Sequence, residues 1–289
     1  MPTWICKRLG CLIFVFSCCL YGKEPQVLIV YPQVEEPLKS IYASVITGIG
    51  HKISHTKQLE LPEGTTDTQS ELALYHPDKI IALGKRVADT LIKSQYRQQI
   101  FIGMVYANPS GTAGVSLALE SQAFANRLAQ LCPVITRVFV VQENTHSAIT
   151  HNPVDSASTP KIIIREGEDM IATIRILGHL VEQEATSGDA VMVPANLPDN
   201  IFYEIAKIAW DRKITLLSNN LAHLEGGVLM VFYPDEVGLG EQLGTLANTD
   251  KTDFENLKSV NVGLNQRVAQ HLNMAIEPAK LAQFSVTLK

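Results

Sequence analysis

Short apolar runs rich in β-branched residues alternate with helix-period segments along almost the whole chain. That rhythm restricts the fold more than any single residue does. "QVLIVY" (26–31) is continuous and apolar, as a strand covered on both faces requires. Leu38, Ile41, Val45, Ile49 and Ile53 follow at helical spacing. "KQLEL" predicts a second strand, a helix begins near Asp67, and "DKIIALG" (78–84) leads into a helix from Lys85 to about Lys93. "QIFIGMV" closes the set. Strands joined by helices in this way build a parallel sheet with right-handed crossovers.

The rhythm then restarts. "NPSGTAGVSLAL" reads as a loop plus a short extended piece, and Phe124, Leu128 and Leu131 mark one face of the next helix. "RVFVVQ" and "KIIIRE" are strands, and Ile171, Ile174, Leu177 and Val181 line a helix. "DAVMVP", a helix through Ile201, Ile205, Ile208 and Ala209, and "ITLLS" complete a second unit. Two α/β units of similar length predict two lobes. Residues 144–161, rich in Ser, Thr, Asn and Pro, interrupt the pattern and read mostly as loop.

A chain of 289 residues with this apolar content suits an α/β protein of two lobes. Net charge is −5 with no basic stripe, which argues against nucleic acid as a partner. The first 22 residues differ from the rest: Lys7 and Arg8 precede an apolar run, Leu9 to Leu20, too short to span a bilayer. This pattern predicts export by a signal peptide (1–22). Cleavage after Gly22, an imperfect lipobox with a lipid on Cys18, and an uncleaved anchor all remain open. Removing the leader brings the formal charge to about −7. Four of the five cysteines lie in the leader; Cys132 alone remains and reads as a small buried hydrophobe.

In open α/β sheets, ligands gather at the carboxyl ends of strands. Those ends carry Tyr31-Pro32, Gly84-Lys85, Met104-Val105-Tyr106, Gln142-Glu143-Asn144, Pro194-Ala195-Asn196 and Ser218-Asn219-Asn220. Amide, hydroxyl and aromatic groups of this kind suit a small polar ligand. Nucleophile elbow, P-loop and dinucleotide fingerprint are all missing. His51 and His55 have metal-like spacing but sit at a helix end without a carboxylate partner in sequence. His146 and His151 give an equally weak metal hint. Asp235 reads as a helix cap before "EVGLGEQLG". The residues therefore predict no catalytic set, no metal and no cofactor.

Four stretches, "PDKIIALGKRVADTL", "IFIGMVYANPSGTAGVSLAL", "GGVLMVFYPDEVGLGEQLG" and "VNVGLNQRVAQHLNMAIEP", come in an order that resembles the substrate-binding proteins of ABC transporters. The branch resembled is the tryptophan/tyrosine-type one, with its many uncharacterised members. The resemblance runs from Val27 to the end and departs from the pattern at 144–161. It implies a two-lobed periplasmic-binding-protein-like α/β fold, each lobe a parallel sheet flanked by helices, with a cleft between the lobes. Residues 24–115 would form lobe one and 116–226 lobe two. Residues 227–258 would be a return strand and helix of lobe one, and 259–289 a C-terminal strand and helix packing on lobe two.

The ligand positions implied are Tyr31, Gly84, Lys85, Met104, Asn144, Asn196, Ser218, Asn219 and Tyr233. Lys85 could pair an anionic ligand group or point to solvent. The function implied is non-enzymatic: an exported, monomeric protein that captures an amino acid or similar polar solute for a membrane permease of an ABC-type uptake system. A sensory module of the same fold, serving a membrane signalling partner, is the alternative. The corner Tyr233-Pro234-Asp235 is expected to work as a hinge, with Gly238, Gly240 and Gly244 allowing close helix packing.

Overall fold

A computed structural model describes residues 26–65, 67–106, 111–144, 149–150, 154, 158–249 and 252–289. The leader 1–22 with Cys18, and most of the 144–161 segment including His146 and His151, lie outside the described residues. Among the described residues no helix is long and apolar enough to cross a membrane.

The chain begins with β1 (Val27–Pro32), α1 (Leu38–Lys52), β2 (Thr56–Leu61), α2 (Thr68–Ala73), β3 (Lys79–Leu83), α3 (Lys85–Leu91), β4 (Ile100–Val105) and β5 (Ala113–Leu119). It continues through α4 (Ser121–Leu131), β6 (Arg137–Glu143), β7 (Lys161–Gly167), α5 (Met170–His179), β8 (Asp189–Met192), α6 (Asp199–Arg212), β9 (Thr215–Ser218) and β10 (Met230–Pro234). Then come α7 (Glu236–Asn248), β11 (Phe254–Leu257), β12 (Val260–Asn265), α8 (Gln266–His271), α9 (Pro278–Leu281) and β13 (Val286–Leu288).

The strands form two sheets. The first, in the order β11-β5-β4-β3-β1-β2, is parallel throughout. The second, β13-β12-β10-β9-β8-β6-β7, is parallel from β10 to β7, while β12 runs against β10 and β13 runs with β12.

Strand periodicity decides which side chains meet. In β1, Val27 and Ile29 face a cluster with Val45 and Ile49 of α1 and Leu239 and Leu243 of α7. Leu28 and Val30 face the other way, toward Leu72, Val87 and Leu91. In the second sheet, Val138, Val140 and Phe232 meet Phe124 and Leu128 of α4, whereas Phe139, Val141 and Val231 meet α5 and α6 through Leu177, Phe202 and Ile205. Each such fully buried side chain contributes roughly 1.5–3 kcal/mol.

Helices α1 and α7 pack at a separation that glycine alone permits. A Cβ on Gly240 would run into the Val45 carbonyl oxygen, and one on Gly48 into the Val237 carbonyl oxygen. The expected close packing at Gly240 and Gly244 is therefore against α1.

The chain passes between the sheets three times: from β5 into α4, from β10 into α7, and from β11 into β12. All three crossings lie at the carboxyl ends of the parallel strands. They are tied together, with Glu120 N donating to Leu257 O at 2.9 Å and Ser259 Oγ donating to Asp235 Oδ2 at 2.7 Å. The sheet pairings correct two expected boundaries. All of β5 pairs with the first sheet, so the first lobe runs to Leu119, past 115. The return strand expected in lobe one, β10, pairs with β9 and β12 in the second sheet, and the return to lobe one begins with α7. An apolar run states how deeply a strand is buried, and its partner is chosen by long-range contacts that the run does not encode.

Candidate functional site

At the carboxyl edge of the first sheet, Gly84 has φ 88, a conformation that glycine adopts without steric cost. Its N–H donates to Gly103 O at 2.9 Å, joining the ends of β3 and β4. A side chain at Gly84 would stand 2.6 Å from the Tyr42 hydroxyl. The Tyr42 ring stacks on Tyr31, centroids 6.1 Å apart, and burial raises the pKa of both phenols. Tyr31, Gly84 and Tyr42 thus form one group.

Met104, beside it on β4, has φ 60 where the β4–β5 pairing shifts register. A bulged strand end carrying a non-glycine residue in left-handed backbone is strained, and such strain gathers at functional sites. Lys85 does not join the group. Its ammonium pairs with Asp89 at 2.6 Å one turn along α3 and stays exposed.

The carboxyl edge of the second sheet is built from amides and a carboxylate. Asn196, after β8, donates from Nδ2 to Glu143 Oε1 at the end of β6, 2.9 Å away. Asn220 Nδ2 donates to Ala195 O at 2.9 Å, linking the loops after β8 and β9. Ser218 Oγ lies 2.8 Å from His223 Nδ1 and accepts from Asn220 N at 3.0 Å. The His223 ring stacks on Phe202 at 4.1 Å, and burial pushes its pKa below the ordinary imidazole value while Asp199 partly opposes that. Between these anchored residues, Asn219 Oδ1 is buried and accepts no hydrogen bond from the described residues.

Asn144 is exposed, and its backbone N–H donates to Gly167 O at 3.2 Å. Tyr233 stands apart from this edge group: its hydroxyl bonds Ser285 Oγ at 2.8 Å, toward β13, and its body packs with the α5–α6 cluster.

Among the positions expected from sequence, the structure therefore gathers Tyr31, Gly84 and Met104 on the first lobe, and Asn196, Ser218 and Asn219 on the second. Glu143, Tyr42, Asn220 and His223 carry no signal in the sequence that singles them out. Glu143 and Asn220 lay within the strand-end triplets, but alternation at a strand end selects one neighbour over the next, and sequence places such ends only to within a few residues. Tyr42 follows Ile41 in α1 and was hidden by the apolar stripe.

The other chemical suspects take structural roles. His51 Nδ1 lies 2.8 Å from Glu241, and Lys52 reaches the same carboxylate at 3.4 Å. Among the described residues no group of three or more His, Cys, Asp or Glu could hold a metal. Cys132 is buried, its Sγ 3.7 Å from Met274 Sδ. Asp235 caps α7 as expected, accepting from Gly238 N at 3.1 Å. A groove of about 660 Å³ beside Asp78, Arg97, Ile100 and Thr112 opens at the strand beginnings of the first sheet, the end opposite to the loops above. Strand carboxyl ends, where loops and helix starts converge, are the stronger location for a ligand.

No family model matches the sequence, and no curated protein does. Solved structures do resemble the fold. One is the ABC domain from Streptococcus pneumonia in complex with L-Trp, at 14% identity and TM-score 0.51. Another is the ligand-free, open form of CD0873, a substrate binding protein with adhesive properties from Clostridium difficile, at 17% identity and TM-score 0.57. A third is a conserved domain protein from Vibrio cholerae, at 14% identity and TM-score 0.50. Each likeness covers 92% of this chain and 100% of the other. At such identities the likeness concerns the fold: a two-lobed, periplasmic-binding-protein-like α/β fold of two largely parallel sheets flanked by helices.

Proposed function

We propose that the protein is an exported solute-binding protein of the tryptophan/tyrosine-type branch. It captures a small polar molecule between its lobes and presents the loaded form to the permease of an ABC-type uptake system. The observation that carries this reading is the convergence of Glu143, Asn196 and Asn219 at the ends of three neighbouring strands, with the Asn219 Oδ1 acceptor left unanswered. A buried acceptor without a donor costs roughly 1–3 kcal/mol, which a ligand donor would recover. The small ligand in one structural neighbour, L-Trp, supports the size class.

Binding rather than catalysis fits the available groups. The Ser218–His223 pair is buried, and Ser218 Oγ is committed to the Asn220 N–H. The tied crossings would act as the hinge on which the lobes close over the solute. The test is a thermal-shift screen of the purified body, residues 23–289, against a broad solute library. Saturable stabilisation by one chemical class is expected. No shift with any solute would sink the proposal.

A further inference from the structure

We propose that the solute is a net-cationic amine, held against the second lobe by Glu143 and Asn219. This rests on the solute-binding reading above and narrows it. The described residues that directly follow strands at the carboxyl edge of the second sheet, 143–144, 167–170, 193–199 and 219–220, contain Glu143, Glu168, Asp169 and Asp199 and no Lys or Arg. Asp169 is spent on capping α5, accepting from Ala172 N at 2.7 Å. Glu143 is different. It is partly buried at the strand end, and Asn196 fixes one of its oxygens while leaving most of a carboxylate's acceptor capacity open.

A second observation is independent of charge. Asn219 Oδ1, at the end of β9, is a buried acceptor with no donor among the described residues. Both groups ask for hydrogen-bond donors, and closing a lobe over Glu143 without a counter-charge would strand a desolvated anion. A protonated amine supplies the donors and the charge together.

The opposite charge has few places to sit. On the first lobe, Lys85 pairs with Asp89, and Arg86 donates to Leu61 O at 2.7 Å and Pro62 O at 3.0 Å. Lys258, at a crossing, pairs with Glu255 at 2.8 Å. Lys39, on the first turn of α1, comes shortly after Glu35 and Glu36, separated from them by Pro37 and Leu38. Two helix starts already hold an acidic residue of the chain: Glu36 accepts from Ser40 N at 3.3 Å on α1, and Asp235 caps α7. The second lobe thus welcomes an ammonium and offers a carboxylate no cation at these positions, so an amine without a carboxylate fits that lobe better.

The experiment is calorimetric and thermal-shift titration of the 23–289 body with putrescine and agmatine, beside L-tryptophan, succinate and 1,4-butanediol. The amines are expected to stabilise saturably. Glu143→Gln, which keeps an acceptor for Asn196, is expected to weaken amine binding by about tenfold or more without moving the unliganded melting temperature. Glu168→Gln is expected to leave binding unchanged. Stabilisation by tryptophan, succinate or butanediol with none from the amines would overturn the amine assignment and leave solute binding standing. Amine binding indifferent to Glu143→Gln would overturn the role of Glu143. Silence from all five probes overturns the amine assignment, and silence across the broad library as well removes the solute-binding reading with it.

Discussion

The Ser259 hydroxyl donates to Asp235 Oδ2 at 2.7 Å, tying the crossing that follows β10 to the one that precedes β12. The other Asp235 oxygen caps α7 through Gly238 N, so one carboxylate serves a helix start and a junction between lobes. Asp235→Ala should cost about 1–2 kcal/mol in urea unfolding. Asp235→Asn, which still caps, should lose clearly less. Equal losses would mean that the cap contributes little.

Gly240 and Gly50 offer opposite outcomes for the same substitution. A Cβ at Gly240 meets the Val45 backbone, while one at Gly50 meets nothing within 4 Å. Gly50→Ala should raise stability by about 0.5–1 kcal/mol through helix propensity. Gly240→Ala should lower it by more than that gain, because α1 and α7 must separate. Melting temperatures of the two variants decide the matter.

Arg137 and Asp189 form a two-pronged pair at 2.7 and 2.6 Å, with Asp189 also accepting from Thr186 N and Oγ. The Arg137 hydrogen bond comes first in holding the Asp189 carboxyl below its ordinary value, with Thr186 adding to it. Its stabilisation is therefore complete above about pH 4 and lost as pH falls below that. Asp189→Asn should destabilise by about 1.5–3 kcal/mol at neutral pH and flatten the acid limb of the stability curve. An unchanged acid limb would contradict this assignment.

His223 works in the same sense, at higher pH. Burial lowers its pKa, so the folded state keeps the ring neutral while the unfolded chain protonates near 6.5. Stability from this group is full above that value and declines as pH falls through the depressed folded value. Melting temperature measured from pH 8 to pH 5 should fall less steeply in His223→Gln than in the wild type.

Cys132 should resist thiol reagents in the native body. Burial pushes its pKa up to about 11, and the thiolate is the reactive form. Labelling that follows unfolding rather than reagent concentration is the expected result.

Much of the architecture was legible from periodicity, because buried parallel strands and amphipathic helices leave different periods in a sequence. The α1 stripe shows the limit: Val45 and Ile49 are fully buried, whereas Leu38 on the same stripe is half exposed at the helix start. On α5, Leu177 is buried but Ile171 is exposed, since the stripe runs past the end of the sheet it covers. Sheet membership was less legible. β10 looks like any apolar strand, and only its partners place it in the second sheet. β11, "FENL", is a short edge strand with too few apolar residues to announce itself.

The strand-end rule points to the carboxyl edges of both sheets, while each side chain's partner comes from the structure alone. At the end of β6, sequence points to Asn144, and the bond to Asn196 is made by its neighbour Glu143. One residue along a strand end changes direction, and sequence does not define that end finely enough.

Neither sheet is finished until the last part of the chain exists. When synthesis reaches residue 235, the first sheet still lacks β11 beside β5, and the second still lacks β12 and β13 beside β10. A ribosome-bound chain of that length would carry two bare strand edges, each a template for mispairing with a neighbour. Folding in this topology suits a polypeptide kept unstructured until it is complete.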